Sequence, residues 1–246
     1  MHDPSHDAHI HLDFFDDPES FARDAESRCM SLFACSVLPE GFKRIATTCK
    51  DLKNVHAGLG IHPWWVADAH LHDFDDCFDR TRWIGEVGLD FSPRRPHHDL
   101  QMQVFEHVAR RCSESGNKIM SIHSIRSASS VMRVLDQTGC LHNNICIFHW
   151  FSGSTDDLWL AIRAGCYFSI NERQTQTKRA REQLKLIPVD RLLLETDLPP
   201  QHNPQTTIDD VIDSLETARA SLEGIRSQAL EDQLTKNWLK LLSSMS

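Results

Sequence analysis

Short β-rich runs alternate with longer amphipathic stretches along almost the whole chain, and this rhythm constrains the fold more than any other feature. The candidate strands read "HDAHIHL", "MSLFACSV", "NVHAGLGI", "RWIGEVGL", "KIMSIHS", "NICIFHW", "CYFSI" and "RLLLET". Between them, "PESFARDAESR", "PHHDLQMQVFEHVARRCSESG", "SASSVMRVLDQTG" and "STDDLWLAIRAG" read as helices. Several open on Pro or Ser and close near Gly, as helix caps require. In "LQMQVFEHVARRC", Leu100, Val104, Phe105, Val108 and Cys112 fall on one helical face. Strands separated by helices pair in parallel. About eight such units close into a TIM-type (β/α)8 barrel of roughly 250 residues, and this chain has 246. The expected fold is therefore α/β, a single barrel domain spanning residues 1–246. An open doubly wound sheet is the alternative, but no G-x-G-x-x-G or P-loop follows any strand. The segment after Pro204 reads as two further helices that close the outer layer.

Composition narrows the function classes. No apolar stretch approaches the roughly 20 residues of a membrane span. "MHDPSHD" lacks the basic and apolar regions of a secretory signal, so a cytoplasmic location is expected. The eight cysteines are scattered, with no C-x-x-C pair, and in "NICIFHW" Cys146 reads as a small buried hydrophobe. A domain of this length needs no disulfides, and reduced thiols are expected. The formal charge of −9 argues against coating of a nucleic acid duplex. It is compatible with a phosphate substrate held by bound cations, which would be the largest local charges in such a site.

Two histidines one residue apart in "SHDAHIHLD" pose the chemical question. Residues i and i+2 of a strand share a face, so His9 and His11 point one way while Ala8, Ile10 and Leu12 point toward the helices. The same parity groups Ile84 with Glu86, Ile119 and Ser121 with His123, Ile145 and Ile147 with His149, and Leu193 and Glu195 with Asp197. Each strand is apolar deeper in and carries a ligand-type residue near its C-terminal end, which in a barrel is the active-site mouth. Six side chains from five strands converge there: His9, His11, Glu86, His123, His149 and Asp197. A single imidazole at a strand end is commonly a hydrogen-bonded core residue. Packing all six without a cation would leave polar groups unpaired at about 1–3 kcal/mol each, and a metal cluster removes that cost.

"DAHIHLD", "GIHPWW", "IGEVGLD", "IHS", "FHWFSGS" and "LLLETDLP" resemble the ordered motifs of the TatD family of metal-dependent deoxyribonucleases, in the amidohydrolase superfamily. The resemblance runs from residue 7 to about residue 200. "HWFSGS" and "GEVGLD" look closest to TatD-like members of anti-phage defence cassettes of the Qat type, which implies protein partners in such a system. The resemblance implies two divalent metal ions, one held by His9, His11, Glu86 and Asp197 and the other by Glu86, His123 and His149, with Glu86 bridging. It implies catalytic roles for Glu86 and for Asp197, which would orient the attacking water and take its proton. The implied substrate is DNA, as single strands or ends attacked from the 3′ side. Imidazole-rich sites suit Zn or Mn, whereas Mg prefers oxygen ligands. Two departures concern substrate contacts. Trp64 and Trp65 stand where the family often has a third histidine after "HP", and Arg126 in "SIRSA" is displaced from the commonest spacing.

Substrate-binding candidates lie in the loops after the strands: His62, Arg94 and Arg95 in "SPRRPHH", and Trp150. Trp64 and Trp65 join Trp150 as positions where a base would stack, although tryptophan is commonly core. "NERQTQTKRAR" adds Arg173, Lys178, Arg179 and Arg181, a run that also reads as a solvated face. Glu195 is either a partner of the ligands or a buried carboxylate tied to backbone donors, and Asp90 reads as a loop organiser. His2, His6, His70, His72, His97 and His98 read as surface residues. Two rival functions remain: an amidohydrolase acting on a small substrate, and a binding component of a defence assembly with little catalysis.

Overall fold

The computed structural model describes residues 6–95, 97–199 and 205–244; the amino-terminal tail with His2 lies outside the described residues. Eight parallel strands follow one another in chain order: β1 (His6–Ile10), β2 (Ser31–Cys35), β3 (Val55–Gly58), β4 (Trp83–Asp90), β5 (Ile119–Ile125), β6 (Ile145–His149), β7 (Tyr167–Ile170) and β8 (Leu192–Leu194). The helices are α1 (Pro18–Ser27), α2 (Pro39–Thr48), α3 (Leu71–Phe78), α4 (His98–Ser115), α5 (Ala128–Gln137), α6 (Thr155–Arg163), α7 (Lys178–Leu186), α8 (Ile208–Arg226) and α9 (Glu231–Ser243). Their starts are set locally. Asp17 accepts from the Ser20 N–H at 3.0 Å just before Pro18, and Ser154 with Asp157 and Thr207 with Asp210 form capping boxes. None of the described helices is long and apolar enough to cross a membrane.

The ladder runs as two arcs, β1–β3 and β4–β8. Backbone bonds bridge both seams. Between β3 and β4, the Leu59 N–H donates to Trp83 O at 2.9 Å and the Gly85 N–H to Leu59 O at 3.0 Å. Gly58 and Gly85 permit this approach, because a Cβ on Gly85 would lie 2.7 Å from the Gly58 carbonyl oxygen. Between β8 and β1, the Asp197 N–H donates to His9 O at 2.9 Å and the His11 N–H to Leu198 O at 2.8 Å. Side chains complete that seam. Buried Asp7 accepts from the Thr196 N–H at 3.1 Å and the Thr196 hydroxyl at 2.5 Å, and His6 Nε2 accepts from the Leu194 N–H at 3.2 Å. Burial raises the Asp7 carboxyl to about 7 against the opposing pull of those donors.

Strict alternation fails in the two strands that matter most. Asp7 and Ile10 pair with Leu32 and Ala34, and Ile84 and Glu86 pair with Met120 and Ser121, so β1 and β4 each carry one extra residue. These bulges reverse parity midway along the strand. Ala8 therefore packs inside the barrel with Phe33, Cys35, Trp83, Ile119, Ile147, Tyr167 and Leu193, while Ile84 joins Ile10 and Leu12 in the layer under the helices. The expected pairing of Ile84 with Glu86 on one face is thus replaced by Trp83 below and Glu86 above.

The C-terminal segment forms two helices as expected, but α9 does not lie in the outer layer. Its Trp238 and Leu241 enter the interior cluster from the end opposite the mouth, and Asn237 Nδ2 donates to the Leu192 carbonyl at 2.7 Å. The Trp238 indole stacks on His6 with ring centroids 5.0 Å apart. His6, expected at the surface, is consequently buried. His70, His72, His97 and His98 are exposed as expected. Cys29 is exposed, the other seven cysteines are buried, and all eight are free thiols.

This plug has a pH consequence. Burial lowers the His6 imidazole to about 3 and that of His56, stacked on Trp83, to about 4. Below the ordinary value of 6.5 the unfolded chain binds protons that the folded one refuses. Stability is therefore complete above pH ~6.5 and is lost as pH falls toward the folded values, by about 2 kcal/mol at pH 5 for His6 and less for the partly exposed His56. Urea midpoints measured between pH 7.5 and pH 5 should fall less in His56→Gln than in the parent; equal slopes would contradict this assignment.

Candidate metal centre

His9 and His11 come from the end of β1, Glu86 from β4, His123 from β5, His149 from the end of β6, and Asp197 from just beyond β8. All six meet at the barrel mouth. Glu86 is the hub, and its two carboxylate oxygens face different partners. Oε2 lies 3.5 Å from His9 Nε2 and 3.3 Å from His11 Nε2, and Asp197 Oδ1 approaches the same nitrogens at 3.8 and 3.3 Å. Oε1 lies 2.7 Å from His123 Nδ1, 2.9 Å from His149 Nε2 and 3.1 Å from His62 Nε2. His9 and His149 stack at 4.1 Å, which joins the two halves.

The outward nitrogens of β1 are already committed. His11 Nδ1 donates to the Cys35 carbonyl at 2.8 Å, and His9 Nδ1 shares a 2.7 Å hydrogen bond with the Ser121 hydroxyl. That leaves the His11 Nε2 lone pair facing His9 Nε2 at 3.3 Å and two carboxylate oxygens. His149 Nε2 and His123 Nδ1 face each other in the same way at 3.3 Å. Lone pairs and carboxylates aimed at common points require a positive charge between them. Within the chain only protons supply it. Burial disfavours a charged His11 or His149, but the Asp197, Glu86 and Glu195 carboxylates outweigh burial and hold both rings well above their ordinary pKa. Burial would likewise raise Glu86, yet the surrounding His62, His149, His11 and His123 rings keep it well below the carboxylate range. The donor set fits divalent cations, which would replace those protons. His9–His11–Glu86, His62–Glu86–His123 and His9–His149–Glu195 each bring three such atoms within 4.8 Å.

Behind these residues lies a shell that the sequence disclosed only in part. Ser121 orients His9 and was legible from its shared face with His123. The Cys35 carbonyl and Asp13, 3.8 Å from His11 Nδ1, left no signal, because their role depends on where β1 meets β2. Glu195 is wholly buried and accepts from the Trp150 N–H at 3.0 Å and Asn171 Nδ2 at 2.9 Å, with Ser169 Oγ a third donor; His149 Nδ1 lies 3.8 Å away. Asp90 organises its loop, accepting from Trp64 Nε1 at 2.6 Å and the Ser92 N–H at 2.8 Å, and it approaches His123 Nε2 at 3.4 Å.

Above the centre opens a cleft of about 740 Å³, lined by His62, Trp64, Trp65, Arg95, Trp150 and Arg173 besides most of the candidate ligands. His62 is buried and takes the Trp64 N–H on Nδ1 at 3.0 Å, which directs Nε2 to Glu86; burial lowers this imidazole to about 4. Arg94 is exposed and is not among the lining residues, and Lys178, Arg179 and Arg181 are exposed as a solvated face would be. Three non-glycine residues with positive φ stand at this rim: Arg126 at 55°, Trp150 at 38° and Asp197 at 59°, just beyond β5, β6 and β8. Backbone strain of this kind concentrates where side chains must be aimed.

A family model described as "TatD related DNase" matches residues 6–243. The chain belongs to the TatD-related DNase family. Relatives in this family include a putative deoxyribonuclease TATDN3 of Mus musculus, 25% identical, with 97% of this chain and 88% of that protein covered. A 3′-5′ ssDNA/RNA exonuclease TatD of Enterobacter lignolyticus is 27% identical over 73% of this chain and 74% of that one. The crystal structure of YJJV, a TatD homologue from Escherichia coli, superposes with a TM-score of 0.81 at 21% identity, covering 100% of this chain and 98% of that one. The TatD-related fold is thus a parallel (β/α)8 arrangement in this chain as well.

Proposed function

We propose that this chain is a metal-dependent deoxyribonuclease that hydrolyses phosphodiester bonds from the 3′ side of single strands or ends. Glu86 carries the reading, because its Oε2 faces His9 and His11 while its Oε1 faces His123, His149 and His62. One divalent ion is assigned to His9, His11, Glu86 and Asp197, and a second to Glu86, His123 and His149. When bound, such a pair polarises a phosphodiester and makes water a usable nucleophile near neutral pH. The chain's own groups do the rest. Burial works against an ionised Asp197, but His11, His149 and His9 outweigh it and hold the carboxyl below its usual range. It is ionised at neutral pH, stands at the open side of the centre, and accepts the proton of the attacking water. His62 meets the scissile phosphate and Trp150 a base. Arg95 meets a neighbouring phosphate, and Arg94, exposed on the same loop, meets phosphates farther out.

The exonuclease name of the Enterobacter relative supports the single-strand polarity. The imidazole-rich donor set favours Zn or Mn. The likeness of "HWFSGS" to defence-cassette members supports placing the barrel, as one domain in the cytoplasm, with protein partners of such a system; loss of phage restriction in a His123→Ala strain would test that placement.

The direct test incubates end-labelled single- and double-stranded DNA with purified protein and Mg, Mn or Zn, beside a His123→Ala control. Metal-dependent shortening from the 3′ end, absent in the variant, is expected. Equal cleavage by both proteins, or none with any metal, rejects the nuclease reading.

A further inference from the structure

We propose that two Trp–Arg pairs flanking the centre form a two-point clamp for an unpaired strand, one phosphate on each side of the scissile bond, so that the piece released from the 3′ end keeps an internucleotide phosphate and is at least a dinucleotide. This inference rests on the nuclease reading and names the substrate geometry of that same site. In the first pair, Arg95 Cζ lies 3.4 Å from the Trp64 ring centroid, and the ring is itself anchored by its Nε1–H to Asp90. In the second, Arg173 Cζ lies 6.0 Å from the Trp150 centroid. Both guanidiniums line the cleft, and neither has a carboxylate within ion-pair distance among the described residues. Outside the cleft, Arg23, Arg28, Arg110 and Arg219 are paired with carboxylates, and Arg44 and Arg226 donate to backbone carbonyls instead. Leaving two cleft arginines unpaired in a chain of charge −9 matches a ligand that brings its own negative charge.

Their placement sets what that ligand must be. Trp64 follows β3 and Arg95 follows β4; Trp150 follows β6, and Arg173 follows β7. Between them on the rim stands β5 with His123, so a molecule touching both pairs passes across the centre. A mononucleotide brings a single phosphate and so engages one pair, whereas an oligonucleotide with phosphates on either side of the scissile one engages both.

The two indoles differ in use. Arg95 covers a face of Trp64, which makes that ring a pedestal. Trp150 stacks on no other ring among the described residues, lines the cleft, and is held at φ 38° with its N–H on Glu195. An aromatic side chain presented in this way is a platform for a base, and only an unpaired base offers its face.

The test measures binding. Fluorescein-labelled, phosphorothioate-protected oligodeoxythymidylates of increasing length are titrated against the Mn-loaded protein by anisotropy across a range of salt. Affinity should rise steeply from one to four nucleotides, the length that carries three internucleotide phosphates, and then level. The slope of log K against log salt should shrink by about 0.7 in Arg95→Ala, by about 0.7 in Arg173→Ala, and by about twice that in the double variant. Arg95→Lys keeps a charge and should keep the slope, which separates phosphate contact from a folding defect. Trp150→Ala should weaken the single strand roughly tenfold. Slopes unchanged in both alanine variants, length-independent binding, or a blunt duplex bound as tightly as the single strand would overturn the clamp. Failure to cleave DNA would overturn the nuclease reading instead, since this readout is binding alone.

Discussion

Glu86→Gln should lower DNA hydrolysis by roughly 10²–10⁴-fold, the equivalent of removing one partner from a buried charge cluster worth about 3–5 kcal/mol. The substitution preserves shape and removes the charge. An amide presents one carbonyl and one NH₂, whereas the carboxylate presents an acceptor to each imidazole pair. Whichever pair meets the NH₂ loses its share of any cation. The same variant should forfeit most of the stabilisation that metal confers on the parent, about 2.7 kcal/mol at a hundredfold excess over Kd. Differential scanning fluorimetry with and without Mn, run beside the cleavage assay, measures both. A variant with the full metal-induced shift in Tm would show that Glu86 does not bridge, whatever its activity.

Trp238→Ala should cost about 3–5 kcal/mol, the usual range for deleting a large aromatic from a close-packed interior. Trp238 is 1% exposed, stacks on His6, and contacts Trp83 with centroids 5.6 Å apart. It arrives from the last helix to fill the end of the barrel opposite the mouth. The rings around it, His6, His56 and Trp83, sit in a close-packed interior and cannot fill the space an alanine leaves. The urea midpoint should drop with the m-value unchanged, while the folded fraction keeps its metal-induced stabilisation because the centre lies at the other end. A loss under about 1 kcal/mol would mean that α9 lies against the barrel without closing it.

The candidate ligands were legible because their signal is local. His9, His11, His123 and His149 each sit at the C-terminal end of a β-rich run, and the chemistry of imidazole does not depend on the fold. The sites of the two bulges were half legible. Gly85 inside "WIGEVG" is the kind of glycine that marks a bulge, yet strict alternation was applied across it, and Ile84 was placed wrongly on the face of Glu86. The bulge in β1 has no such mark, because Asp7 and Thr196, which meet across the seam beside it, lie 189 residues apart in the chain. His6 was misread for the same reason: its partner Trp238 lies more than 200 residues along the chain.

Alternating hydrophobicity, helix caps and ligand-type residues at strand ends determined the parallel barrel and the identity of its candidate metal-binding side chains, since each depends only on neighbours in the chain. Tertiary structure alone decided which oxygen of Glu86 faces which imidazole pair, that Arg95 and Arg173 rather than Arg94 line the cleft, and that α9 plugs the interior. Those outcomes depend on the register of the strands and the closure of the seams, where segments distant in sequence must satisfy one another's hydrogen bonds and fill one another's space.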